Sequence, residues 1–156
     1  MMQLSEHSRN RLLHTFSLWD VQQEYRGSRD IPVSMKQEYR GHVYGYLVQG
    51  WPPGSFYTAV FANDFAGAMA HSHPSNRIDT LKCLSGWIQS HMPEQARGSY
   101  DRVNNWLGMS NDDRRTALEQ AKLIYDTKTE VWLILGNEHT SNPYPRDRSD
   151  DPYDYV

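Results

Sequence analysis

The sequence predicts a mainly α-helical protein, a compact bundle of about five to six helices, because apolar residues recur at every third or fourth position along most of its length. Two further observations agree. Serines stand directly before several of these stretches, where a helix start needs a side-chain acceptor. Clusters of Pro and Gly end them.

Ser5 to about Tyr25 reads as an amphipathic helix, with Leu12, Phe16 and Trp19 on one face and Leu13 beside them. Its other side is polar, so the stripe must dock on its own domain or on a partner chain. Gly27-Ser28 breaks it and Ile31-Pro32 opens a new segment. Val33 to Gln49 is a second helix, carrying Met35, Tyr39, Val43, Tyr46 and Leu47 on one stripe. Gly41 and Gly45 lie four apart on a neighbouring line, each at a helical cost of about 1 kcal/mol. Such a pair suits close approach of another helix or a ligand, and chance supplies it equally well.

Gly50-Trp51-Pro52-Pro53-Gly54 is a firm stop, since two prolines cannot continue a helix. Ser55 follows as the expected N-cap of a third helix, about Phe56 to Ala70. Phe56, Tyr57, Val60, Phe61, Phe65 and Met69 make this the expected central helix, interrupted by the polar pair Asn63-Asp64. After the loop His71-Ser72-His73-Pro74, Ser75 caps a fourth helix, Asn76 to His91, with Ile78, Leu81, Leu84, Ile88 and Met92 as its core stripe. Pro93 ends it, and Ser99 caps a short fifth helix that runs to Trp106-Leu107-Gly108.

Ser110, with Asp112 and Asp113 in the first turn, opens a sixth helix whose acidic residues suit its positive end. Ala117, Ala121, Ile124, Tyr125, Val131, Trp132 and Leu135 keep helical phase, which favours one long helix ending at Gly136. The competing reading breaks it near Thr127 and makes Glu130 to Leu135 a short C-terminal strand. The chain thus divides into an N-terminal arm over 1–30, a helical core over 31–108, a long C-terminal helix over 109–136, and a polar, acidic tail over 137–156 expected to be disordered.

Bulk composition narrows the function. At 156 residues the chain fits one domain. The formal charge of −3 excludes a general nucleic-acid binder, which needs a basic surface. Five Trp, ten Tyr and four Phe supply large rings for a core and for a binding surface. The single cysteine, Cys83, excludes an internal disulfide and a cysteine-based zinc site, and its apolar surroundings predict a buried side chain. No apolar run approaches the roughly 20 residues that cross a membrane, and the N-terminus has no signal-peptide core, so a cytoplasmic location is expected.

The pattern Tyr39, Gly45-Tyr46-Leu47, Gly50, Pro53-Gly54-Ser55-Phe56, Ala59-Val60, Asn63-Asp64-Phe65, Ala68 and Asn76 resembles a group of short helical proteins found in phages and prophages. The later part of that signature is met by Trp87-Ile88, Pro93 and Arg97-Gly98-Ser99. The resemblance spans Ile31 to Gly108 and is most specific in its PGSF and ND elements. This chain departs from it in Arg97, where the group has Trp, in His71-Ser72-His73, which replaces an acidic loop, and in added segments at both ends. The resemblance implies a phage setting and a compact helical unit, not a reaction.

The candidate binding residues follow from helix starts, buried polar groups and aromatic rings. Gly54-Ser55-Phe56 offers unpaired N–H groups and a helix dipole to an anion, although a plain N-cap accounts for Ser55 as well. Asn76-Arg77 and Arg97-Gly98-Ser99 repeat this arrangement, each with a cation, so the three starts can converge on one anionic ligand. Asn63 and Asp64 on an apolar helix need partners, either within the protein or on the base and ribose of a nucleotide. Tyr39, Tyr46, Trp51 and Tyr57 are candidates for stacking on a base; of these Tyr39 and Trp51 are the favoured pair. His71 and His73 lack a convincing third ligand, so neither a metal nor another cofactor is expected. The chain has no GxSxG, P-loop or HExxH motif, so no catalytic residue is assigned.

These readings favour a non-enzymatic, phage-encoded binding protein that counters host defence, a homo-oligomer that sequesters a small anionic, nucleotide-like immune signal. A protein–protein inhibitor of a defence effector is the alternative, with the acidic tail Asp147 to Tyr155 as a nucleic-acid mimic. A nucleotide-acting enzyme using Asp64 with His71 or His73 is the third.

Overall fold

Eight α-helices form among the residues that the computed structural model describes, 2–24, 37–72 and 78–138. They are α1 (Glu6–Glu24), α2 (Gln37–Tyr44), α3 (Ser55–Phe61), α4 (Phe65–His71), α5 (Ile78–His91), α6 (Tyr100–Gly108), α7 (Asn111–Gln120) and α8 (Thr127–Glu138). A π turn, Gly45–Gln49, extends α2, and a 3₁₀ turn, Glu94–Ala96, precedes α6. The described residues contain no strand, and Glu130 to Leu135 lies inside α8. Met35, Asn76, Arg77, His73 and the tail over 139–156 lie outside the described residues.

Six expected helices become eight because two of them are each interrupted. The third ends at Phe61 and restarts at Phe65; the sixth ends at Gln120 and restarts at Thr127. Both breaks use the same device. Asn63 takes a left-handed φ of 61°, while the Asp64 amide reaches back to the Ala59 carbonyl at 2.9 Å and the Asn63 amide to Val60 at 3.1 Å. Lys122 takes φ 60°, with the Leu123 amide on Leu118 and the Lys122 amide on Glu119, both at 3.0 Å. This crossed pair of bonds satisfies the last carbonyls of a helix and needs one left-handed residue. An aspartate then caps each new helix: Asp64 accepts from the Gly67 amide and Asp126 from the Thr129 amide, both at 3.0 Å. Helical phase alone hides such a restart, because apolar residues on both sides still fall on a plausible stripe.

The core is built around two indoles. Trp106 on α6 donates from Nε1 to the Tyr46 carbonyl at 3.0 Å, and the Tyr46 ring stacks on Phe61 of α3 at 4.6 Å. The Tyr46 hydroxyl donates to the Ala96 carbonyl at 2.7 Å, so the π turn, α3, the 3₁₀ turn and α6 share one buried polar junction. Trp87 on α5 packs 4.9 Å from Phe16 on α1 and donates to the Thr15 hydroxyl at 2.9 Å, which in turn donates to the Leu12 carbonyl. Rings of this size bury large areas, and their polar ends must find partners in the interior.

The predicted stripe of the second helix is the observed core face, with Tyr39, Val43, Tyr46 and Leu47 all fully buried. So are Leu12 and Phe16 of α1, and Cys83. The buried Ser8 hydroxyl donates to Glu130 and accepts from the Tyr125 amide, tying α1 to the start of α8. No helix among the described residues is long and apolar enough to cross a membrane.

Candidate functional site

The restart at Asn63-Asp64 opens a groove. Because α4 sets off in a new direction, its apolar side chains do not all reach the core, and Phe65 remains 77% exposed. Between α3, α4 and α5 lies a cavity of about 330 Å³. Phe56, Val60, Phe65, Met69, Leu81 and Leu84 form its apolar walls, and Asn63, Asp64, Lys82 and Ser85 its polar members. A concave, mostly apolar site with a few polar groups is the usual form of a small-molecule pocket.

Asp64 is the most constrained polar group there. It accepts from the Gly67 amide as the cap of α4 and from the Tyr100 hydroxyl at the start of α6. Those two bonds, the Tyr100 one foremost, hold its carboxyl below the usual range and keep it ionised. The same bond pushes the Tyr100 phenol up. Asp64 therefore supplies the negative charge that the starts of α4 and α6 favour, and it does so from within the chain.

The sequence-predicted site residues separate into groups. Phe56, Asn63 and Asp64 come together in the groove. Tyr39 does not join them: it is fully buried in the core, edge-on to Tyr57 at 6.2 Å, and cannot stack on a ligand. Trp51 is 53% exposed but lines a different hollow, near α2. Arg97 turns back onto the end of α5, donating to the Met92 carbonyl at 3.0 Å. Ser99 caps α6 as expected, accepting from the Arg102 amide at 3.1 Å.

The expected N-cap at Ser55 is corrected by one residue. Gly54, with φ 91°, occupies the cap position and Ser55 is the first helical residue, exposed and making no capping bond. The expected convergence of helix starts is corrected too. The Gly98 amide donates to the Phe61 carbonyl at 2.8 Å, which sets the start of α6 against the far end of α3. Across the seven residues of α3, six helical rises separate that end from Ser55, about 9 Å at 1.5 Å each. Ser55 and Ser99 therefore do not cradle one anion.

Sequence reasoning passed over Phe65, Met69, Lys82, Ser85 and Tyr100. Phe65 and Met69 count toward the apolar central helix only while the third helix is continuous. The signal that distinguishes them is the Asn-Asp pair itself, since both residues tolerate or favour helix ends and turns. Among the described residues no group of three His, Cys, Asp or Glu side chains stands close enough to hold a metal.

The fold defines the class: an all-helical protein, among its described residues, with an open apolar groove. No protein-family model, curated protein or solved structure matches the chain.

Proposed function

We propose that this chain is a non-enzymatic binding protein that acts in the cytoplasm of a phage-infected host and counters its defence by sequestering a nucleotide-like signal. The phage setting comes from the PGSF and ND resemblance. The groove between α3, α4 and α5 is the observation that carries the binding reading. Phe56 and Phe65 offer ring faces for a base, and Asn63 offers an amide that both donates and accepts. Lys82 is the cation for a phosphate, a task the helix starts do not share. Self-association fits the apolar side chains left exposed on α8, Val131 and Trp132.

Calorimetry with cyclic dinucleotides and cyclic ADP-ribose isomers tests the proposal. At least one is expected to bind, to lose affinity in Phe65→Ala and Lys82→Ala, and to be recovered intact by chromatography. Absence of binding to every member of the panel refutes it, and turnover of the ligand replaces it with an enzyme.

A second reading, a protein–protein inhibitor, is favoured by the prominence of Phe65 and Met69 at the groove mouth, since exposed apolar anchors suit a protein interface. Deleting residues after Gly136 separates the two. Signal capture in the groove survives the deletion, whereas inhibition that joins the Phe65–Met69 surface to the acidic tail does not.

A further inference from the structure

A second hollow, of about 400 Å³, lies between α2, the π turn and the Trp51-Pro52-Pro53 turn. Its construction differs from that of the groove. The Gly45 carbonyl accepts from the amides of both Gly50 and Trp51, and this closes the π turn and folds the Trp51 ring back over Gly45. A Cβ at Gly45 would stand 3.1 Å from that ring, so any larger residue there would push the indole outward by a few tenths of an ångström. The Gly41–Gly45 pair is thereby half explained. Among the described residues no atom apart from its own helical backbone lies within 4 Å of a Cβ placed at Gly41, which lines the hollow.

Of the side chains that line this space, His42 and Tyr46 among them, two bear on a ligand. One is the indole of Trp51, half of whose surface is exposed. The other is the exposed carboxylate of Glu38. The Tyr57 hydroxyl donates to Glu38 Oε1 at 3.3 Å, and Tyr57 is itself held by His42, stacked on it at 4.0 Å. The carboxylate is thus oriented by a neutral donor, and no cation among the described residues pairs with it. A planar cation satisfies both features at once, because a guanidinium stacks on an indole face and also donates a fork of N–H bonds to a carboxylate.

We propose that this hollow binds an arginine side chain presented by a partner protein, the guanidinium lying between Trp51 and Glu38 over the open backbone at Gly41. The formal charge of −3 on the chain favours approach of such a partner. The inference does not depend on the nucleotide reading, which concerns a different cavity.

Titration of the full chain with an acetylated, amidated Gly-Arg-Gly peptide, followed by the NMR signal of the Trp51 indole N–H, tests it. A saturable shift is expected. It should weaken at least fivefold in Glu38→Gln and vanish when citrulline, which is neutral and of the same shape, replaces arginine. Free agmatine should reproduce the shift more weakly than the peptide; an equal or stronger response from agmatine would reassign the hollow to small guanidines. Trp51→Leu gives a second variant, read through the Glu38 backbone amide, in which the shift should be lost. The proposal is overturned if the citrulline peptide shifts the signal equally, if Glu38→Gln leaves the affinity unchanged, or if no saturable shift is seen.

Discussion

Gly50→Ala should be far more damaging than a glycine-to-alanine change in a loop ordinarily is. Gly50 ends the π turn with φ 69°, a conformation that costs an L-residue about 1–2 kcal/mol. The larger part comes from Arg114 on α7. A Cβ at position 50 would fall 2.7 Å from the guanidinium carbon and 2.8 and 2.9 Å from its two terminal nitrogens. That guanidinium cannot move freely, because the side chain is buried and donates to the Met109 carbonyl and to Asn111 Oδ1. Hydrogen bonds to charged groups are worth about 1.5–3 kcal/mol each, so losing one of them brings the expected cost to about 2.5–5 kcal/mol. Urea unfolding followed by tryptophan fluorescence gives the number. A double-mutant cycle gives the cause: in an Arg114→Met background the clash is absent, and Gly50→Ala should cost only its backbone share of about 1–2 kcal/mol. Equal costs in the two backgrounds would refute the account, as would a loss below about 1 kcal/mol in the wild-type chain.

Other expectations concern the groove and the core. Phe65→Ser should change stability by no more than about 0.5 kcal/mol, because the ring is already mostly in water, whereas Phe61→Ala should cost about 3–5 kcal/mol. Urea midpoints for the two variants check this, and a large loss at Phe65 would place it in the core rather than on a binding surface. Asp64 has a lowered carboxyl value in the folded chain, so its stabilising contribution is present above the unfolded carboxylate pKa, about 3.9, and is lost as pH falls through the depressed folded value. The stability gap between wild type and Asp64→Asn should therefore close on acidification, and a gap independent of pH between 7 and 2 would refute the assignment. Trp106→Phe removes the donor to the Tyr46 carbonyl and leaves that buried acceptor unpaired, so a loss of about 2–4 kcal/mol is expected by the same denaturation assay.

The sequence by itself determined the helical class and most of the core. Leu12 and Phe16, the run Tyr39, Val43, Tyr46 and Leu47, and Leu84 with Ile88 were legible because a helix places residues three and four apart on one face, and burial follows that face. Ser99 and Ser110 were legible as caps because a cap is a contact within one turn of chain.

Only the tertiary structure decided where helices stop without Pro or Gly, and which aromatic rings stay outside. Asn63 and Lys122 adopt left-handed backbone at positions where periodicity predicts an unbroken helix, and the crossed amide bonds to Ala59 and Val60, and to Leu118 and Glu119, close the helices there. Phe65 follows the first of these breaks and stays exposed, whereas Tyr39, which its stripe placed in the core and its ring made a stacking candidate, is core alone. The separation of Ser55 from Ser99, and the bond from Tyr100 to Asp64 across 36 positions, are relations between distant parts of the chain. Local periodicity carries no information about such distances, because they depend on how whole helices pack and not on which face of each is apolar.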